Sequence, residues 1–235
     1  VADRVRNAVA HRLGPGRSVP TITLENDAKL AALATYERYA QDGVRNLLYL
    51  SGSEGIGAGI ISDGHLLRGA AGFGGEIGHL NVVPGGRPCG CGLRGCLERY
   101  SAGTALGINA WELAQFRPDY AARIIELSGG NPEHISGKAV TAAAREGDPA
   151  ALECYEQLTH WLGVGLADMC ALLDPEVIVI AGGLAEAGDI LLAPTRKAFA
   201  ENLTAGTHRP AIPVVLAEGG QEAGLIGAAD LARQP

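Results

Sequence analysis

Residues 177–188 read VIVIAGGLAEAG: four β-branched residues, Val177 to Ile180, then Ala181, then the pair Gly182-Gly183. An unbroken β-branched run with no polar residue on either side of the pleat is the pattern of a strand buried on both faces. The two glycines turn the chain sharply, and the residues after them have the composition of a helix. Strand, glycine turn and helix in succession argue an α/β architecture.

The pattern extends in both directions from this unit. Upstream, Pro149 to Leu173 is predicted as one long helix, capped by Asp148, started by a proline and stopped at Asp174-Pro175, with two or three helices between Ala102 and Gly147. Downstream, Pro213 to Ala217 reads as a last strand and Gln221 to Ala232 as a last helix. Near the other end, Asn46 to Ser51 and Ile56 to Ser62 are β-like, and Asp63-Gly64 between Ile61 and Leu66 signals a hairpin. Ala28 to Gln41 has helical spacing with Asn26 or Asp27 as N-cap. Thr21 to Leu24 reads as a short strand carrying Glu25, Asn26 and Asp27 at its end. Val1, Val5, Ala8 and Val9 recur at helical spacing. Gly69 to Gly75 is a tight loop, and His79 to Val83 reads as a strand entering a cysteine cluster.

Composition narrows the function classes. The 235 residues are 47% apolar and 19% charged, the profile of a globular chain of one or two domains able to bury a core. No run approaches the ~20 apolar residues of a membrane span, and the charged N-terminal stretch resembles neither a signal peptide nor an anchor, so a cytoplasmic protein without a membrane partner is expected. The net charge of −7 has the wrong sign for a surface that neutralises phosphates, which speaks against DNA binding by this segment alone. The 34 glycines are twice the ~7% usual in globular chains, and they concentrate around Gly52 to Gly107 and at Gly182-Gly183.

Three of the five cysteines, Cys89, Cys91 and Cys96, fall within eight residues, and His79 lies just upstream. Three thiolates and one imidazole on a loop of Gly and Pro match the preference of zinc for four N and S ligands in a closed tetrahedral site. The alternative is a set of free loop cysteines or a redox pair; a reducing compartment and the absence of Cys-x-x-Cys favour structural zinc. Cys154 and Cys170 stand alone on helical patterns and read as small buried apolar residues. His11, His65, His134, His160 and His208 have no ligand spacing. The glycines of GIGAGI (55–60) are a weak nucleotide signal, and no Gly-x-x-x-x-Gly-Lys-Ser/Thr loop occurs.

The stretches GIGAGIISDGHLLRG (55–69), GGEIGHLNVV (74–83) and CGCGLRGCLE (89–98) resemble the ROK family of sugar kinases and sugar-responsive repressors. Glu25-Asn26-Asp27-Ala28 is similar to its Asn-Asp sugar motif, IVIAGGLAEAG (178–188) to its adenosine-side turn, and EAGLIGAADLA (222–232) to its closing helix. The resemblance implies a two-lobed, actin-like ATPase (ribonuclease H-like) α/β fold with a truncated first lobe. On that reading residues 1–43 are a remnant of the first lobe, 44–217 the second lobe with the zinc loop, and 218–235 a closing helix returning to the first lobe.

From residue types alone, Asn26 and Asp27 are helix caps, and Glu76 and Glu98 solvated loop carboxylates. The resemblance instead makes Asn26, Asp27, Glu76, His79 and Glu98 contacts to a sugar or amino-sugar. Asp27 then stands at the catalytic base of the kinases, with ATP and Mg2+ as their further requirements. His79 serves both sugar and zinc, beside Cys89, Cys91 and Cys96. Two departures favour the regulator branch, similar to N-acetylglucosamine and xylose repressors. No phosphate-cradling Asp-x-Gly-Gly-Thr-like loop precedes Asn26, and Glu54, within Leu50-Ser51-Gly52-Ser53-Glu54-Gly55, replaces a phosphate-contacting turn with a charge expected to repel polyphosphate by several kcal/mol where poorly solvated. The expectation is therefore a dimeric or higher-oligomeric sugar-binding effector domain that reaches DNA through an N-terminal winged helix outside this chain and does not phosphorylate sugar. An ATP-dependent sugar kinase is the alternative.

Overall fold

The computed structural model describes residues 1–218 and 222–233. In chain order the elements are α1 (Ala2–Leu13), α2 (Asp27–Ala40), β1 (Leu47–Gly52), β2 (Ile56–Ser62), β3 (His65–Leu66), α3 (Glu98–Ser101), α4 (Gly103–Phe116), α5 (Ala122–Leu127), α6 (Gly137–Arg145), α7 (Pro149–Leu173), β4 (Val177–Ala181), α8 (Asp189–Asn202), β5 (Val214–Leu216) and α9 (Ala223–Arg233). Short 3-10 turns cover Ile77–His79, Pro132–His134 and Gly183–Ala187.

The strands form one mixed sheet in the order β3-β2-β1-β4-β5. β1 runs antiparallel to β2, with Leu47 opposite Ile61, and parallel to β4, with Leu47 beside Val177; β5 continues the parallel side. The Asp63-Gly64 turn has positive φ at both residues, 51° and 80°, which matches the right-handed twist of the β2–β3 ribbon.

The alternation of side chains explains why the β4 run is apolar throughout. Leu48, Leu50, Ile60, Ile178 and Ile180 face one core with Leu158, Leu162 and Leu166 of α7. Leu47, Tyr49, Ile61, Val177 and Val179 face the other with Ala31 and Ala32 of α2. A strand between two helical layers has no solvent face on which to place a polar residue. α7 is built as its ends dictate: the Asp148 carboxylate accepts the Ala151 N–H at 2.9 Å, Pro149 opens the helix, and Asp174 closes it in the left-handed region at φ 44°.

α2 sits unusually close to β2. A Cβ at Gly57 would come 2.9 Å from Cβ of Ala28, and one at Gly59 would collide with Ala32. Glycine at these two positions therefore sets the depth of the helix on the sheet.

Two local expectations are corrected. Thr21–Leu24 is not a strand: no strand among the described residues lies beside it, and without a ladder partner an extended segment has nothing to pair with. His79–Val83 is not one either. The 3-10 turn at Ile77–His79 crosses the start of β2, with the Gly78 backbone against the Ile56 carbonyl, and pairing is limited to a bridge between Asn81 and Cys96. The last helix begins at Ala223; Gln221, where it was expected to start, lies outside the described residues. No helix among the described residues is long and apolar enough to cross a membrane.

Candidate functional site

A cleft of about 1570 Å³ opens between α2, the C-terminal ends of β1 and β4, and the segment leading into α9. Asp27, Ser51, Ser53, Glu98, Gly182 and Gly183 are among its walls. Clefts at the carboxyl ends of parallel strands are where α/β sheets bind ligands, because loops and helix starts converge there. Asn26 caps α2, its side-chain oxygen accepting the Ala28 N–H at 2.9 Å and the Lys29 N–H at 3.2 Å. Asp27, the first helical residue, is exposed and accepts only the Ala28 N–H, through Oδ1 at 2.9 Å; its second oxygen has no hydrogen bond among the described residues.

At the edge of this cleft the four metal-ligand candidates converge. One donor atom from each of His79, Cys89, Cys91 and Cys96 lies within 4.8 Å of all the others. Cys89 Sγ is 3.6 Å from His79 Nδ1, and Cys91 Sγ is 3.6 Å from Cys96 Sγ. Zinc–sulfur bonds of ~2.3 Å and zinc–nitrogen bonds of ~2.0 Å in a tetrahedron imply edges of about 3.8 Å between sulfurs and about 3.5 Å between sulfur and nitrogen. The donor set thus fits a cation of that size. The loop is folded by its own backbone, with the Cys89 N–H on Leu93 O at 2.9 Å and the Gly95 N–H on Arg87 O at 2.9 Å. Gly95, at φ 84°, is packed so tightly on the Val83 carbonyl that no side chain fits there.

The thiols are unequal. Burial and the two neighbouring sulfurs push Cys96 up to about 12, burial raises Cys89, and the Leu93 N–H lowers Cys91. Three adjacent thiolates repel one another, so holding all of them ionised requires a cation among them.

Glu98 joins the cluster to the cleft. Its Oε1 lies 3.4 Å from Cys89 Sγ and its Oε2 accepts the Ile56 N–H at 3.3 Å. Gly55 makes room for it, since a Cβ there would stand 2.7 Å from Oε2. The structure therefore brings Asp27 and Glu98 into one cleft and links His79 to Glu98 through Cys89. Asn26 is engaged in capping, and Glu76 is exposed just before the 3-10 turn with no side-chain bond to it.

One residue of this region carries no signal in the sequence. Lys29 is 1% exposed, and its Nζ donates to the carbonyl of Gly72 in the loop that precedes Glu76. Arg68, at the start of the same loop, pairs with Glu25 at 2.6 Å. A lysine beside an N-cap reads as solvated; here the close seat of α2 on Gly59 buries it. We expect Lys29→Met to change unfolding free energy by less than about 1 kcal/mol, because the desolvation penalty of the ammonium vanishes with its bond. Amide exchange at Gly72 to Gly75 should rise severalfold, which hydrogen-exchange mass spectrometry reads; unchanged exchange there would remove Lys29 as the anchor of the loop.

The expected effect of Glu54 is also corrected. Ser53 and Gly55 line the cleft but Glu54 does not, and its side chain is exposed while its carbonyl accepts Thr104 Oγ1 at 2.7 Å. In water two unit charges 4 Å apart repel by only about 1 kcal/mol. Glu54 is thus no barrier to a polyphosphate.

Comparison with known proteins points the same way. The ROK family description matches residues 17–235. A glucokinase of Streptomyces coelicolor is 42% identical over 214 residues, covering 91% of this chain and 68% of that protein. A glucokinase of Thermotoga maritima is 32% identical over 222 residues, covering 93% and 68%. Among solved structures, a ROK family glucokinase from Streptomyces griseus, in complex with glucose and AMPPNP, superposes with a TM-score of 0.86 at 40% identity, covering 98% of this chain and 72% of that one. A ROK family transcriptional regulator homologous to the E. coli MLC protein superposes less well, with a TM-score of 0.69 at 33% identity, covering 51% of that chain. The expectation of a regulator's effector domain is overturned by this: the Streptomyces glucokinases are nearer than the regulator in both sequence, 42% and 40% against 33%, and backbone, with a TM-score of 0.86 against 0.69, and the charge of Glu54 does not bar phosphate from the cleft. The α/β, actin-like ATPase fold stands, and the chain belongs to the ROK family.

Proposed function

We propose that this chain is the greater part of an ATP-dependent sugar kinase acting on glucose or a closely related hexose. The observation that carries the reading is the cleft whose walls include Asp27, Glu98 and Gly182-Gly183, in a chain 42% identical to a glucokinase. A hexose presents hydroxyls that both donate and accept, and carboxylates with an imidazole placed on rigid elements can fix several of them at once. In this proposal Asn26, Asp27, Glu76, His79 and Glu98 are the sugar contacts. Asp27 takes the proton of one hydroxyl as that oxygen bonds to the γ-phosphorus of ATP and the bond to the ADP oxygen breaks. Mg2+ accompanies ATP as part of the substrate, and the glycine turn after β4 lets a nucleotide approach the backbone closely.

The same proposal assigns a structural zinc to His79, Cys89, Cys91 and Cys96, supported by the donor spacing. When bound, the ion supplies a fixed frame for the loop. His79 turns Nδ1 toward Cys89, which leaves Nε2 as the atom able to meet a sugar hydroxyl. Glu98 holds its second oxygen on the Ile56 N–H, so its position is set by the first residue of β2.

The test is a coupled assay on the complete natural protein with ATP, Mg2+ and a panel of glucose, mannose, N-acetylglucosamine and N-acetylmannosamine. Turnover with glucose of about 1–10³ per second is expected. Binding of glucose by calorimetry with no turnover of any sugar would overturn the kinase reading.

A further inference from the structure

We propose that Arg87 is the positioning residue that holds the cysteine loop and the Glu98 helix in one frame before any metal arrives. Its Nη1 donates to Asn109 Oδ1 at 2.9 Å and to the Arg99 carbonyl at 3.1 Å, and its Nη2 donates to Glu112 Oε2 at 2.6 Å. Its backbone N–H donates to Tyr100 Oη at 2.7 Å, and its guanidinium carbon sits 5.1 Å from the centre of that ring. Its carbonyl accepts the Gly95 N–H.

The positions of these partners give the contacts their meaning. Arg87 is two residues before Cys89, Gly95 is the residue before Cys96, and Arg99 is the residue after Glu98. One side chain and its own peptide group therefore tie both ends of the cysteine loop to the helix that carries Glu98. The anchor is rigid: Asn109 is 5% exposed in the middle of α4, and Tyr100 packs against Trp161 at 5.6 Å. A planar fork spreads its donors over separate nitrogens and so reaches a side-chain amide and a carbonyl through Nη1 and a carboxylate through Nη2, whereas a lysine would have to meet all three from one nitrogen. None of these contacts uses a metal ligand, so the loop is held in place by protein groups alone. The other arginine of the loop is a built-in contrast. Arg94 is exposed and, among the described residues, makes a single side-chain bond, to the Gly85 carbonyl at 3.2 Å.

This inference rests on the zinc and sugar assignments of the proposed function, and three measurements separate its failure from theirs. On the complete zinc-loaded protein, Arg87→Met should release zinc to a chromogenic chelator at least tenfold faster and raise the KM for glucose at least tenfold, with the KM for ATP within twofold of wild type. Arg87→Lys should fall between the two, and Arg94→Met should match wild type. On EDTA-treated protein, which involves neither zinc nor catalysis, Arg87→Met should raise amide exchange across residues 84–99 at least tenfold and Arg94→Met should not. Equal exchange in the two variants overturns the proposal whatever the metal or the reaction is, and so does a KM for ATP that rises in step with that for glucose. If Arg87→Met does not fold, the decision passes to Arg87→Lys, whose zinc release and exchange within twofold of wild type would overturn it. A wild-type protein that holds no zinc or turns over no sugar refutes the functional reading instead, and leaves the exchange comparison to judge Arg87.

Discussion

Asp27→Asn is expected to lower kcat for sugar phosphorylation by about 10²- to 10⁴-fold, the range that general base catalysis supplies. The substitution keeps the size and polarity of the side chain and removes its capacity to take a proton. The fold depends little on the charge: Asn26, not Asp27, caps α2, and Asp27 is exposed in the first turn with, among the described residues, a single bond to the neighbouring Ala28 N–H. The melting temperature should therefore stay within about 2 °C of wild type, since a surface change of this kind is usually worth less than about 0.5 kcal/mol. The KM for glucose should move by a few-fold only, because the amide still reaches a hydroxyl and the lost interaction belongs to the transition state. Steady-state kinetics decide it. A kcat within tenfold of wild type would mean that the proton leaves by another route, and Asp27 would revert to a residue of the helix end.

Loss of the metal is the second large effect. Cys96→Ser should leave less than half an equivalent of zinc on the protein and lower the melting temperature by about 10 °C or more. A domain of 150–250 residues shifts by roughly 2–4 °C per kcal/mol, and structural zinc sites are worth about 10–16 kcal/mol in isolated peptides, so the drop calls on only part of the available binding energy. Cys96 is the decisive ligand to remove because it is fully buried. With no cation its thiol lies at about 12, so its ionisation at neutral pH depends on the ion. Metal binding displaces protons, and zinc retention should accordingly weaken as pH falls. Cys154→Ala is the contrast. Burial pushes that thiol up to about 12, it lies in the core, and its loss should cost stability without altering zinc content. Metal analysis beside calorimetry separates the two, and a full equivalent of zinc on Cys96→Ser would refute the ligand set.

What could be read in advance depended on how local the physics is. The buried β4, the capped ends of α7, the Asp63-Gly64 hairpin and the lone buried Cys154 and Cys170 all arise from periodicity, capping and turn chemistry within a few residues. The convergence of His79, Cys89, Cys91 and Cys96 was legible for a related reason, since Cys-rich spacing on a Gly-rich loop leaves few alternatives. The misreadings share the opposite cause. Thr21–Leu24 has strand composition but, among the described residues, no neighbour to complete a ladder, and the charge of Glu54 carries no mark of the side chain's exposure. Coulomb energy between two charges changes severalfold between water and a partly buried site, so a charge in a sequence has a sign but no strength.

The order of residues along the chain determined the α/β class, most element boundaries and the four candidate ligands, because these rest on φ/ψ preferences and side-chain spacing that each segment carries with it. Tertiary structure alone decided that α2 seats on Gly57 and Gly59 deeply enough to bury Lys29. It alone set Asp27 and Glu98 in one cleft, and it alone gave Arg87 its partners on α3 and α4. These are contacts between residues from about a dozen to several tens of positions apart, and their strength depends on packing distance and local dielectric, which exist only once the chain has closed on itself.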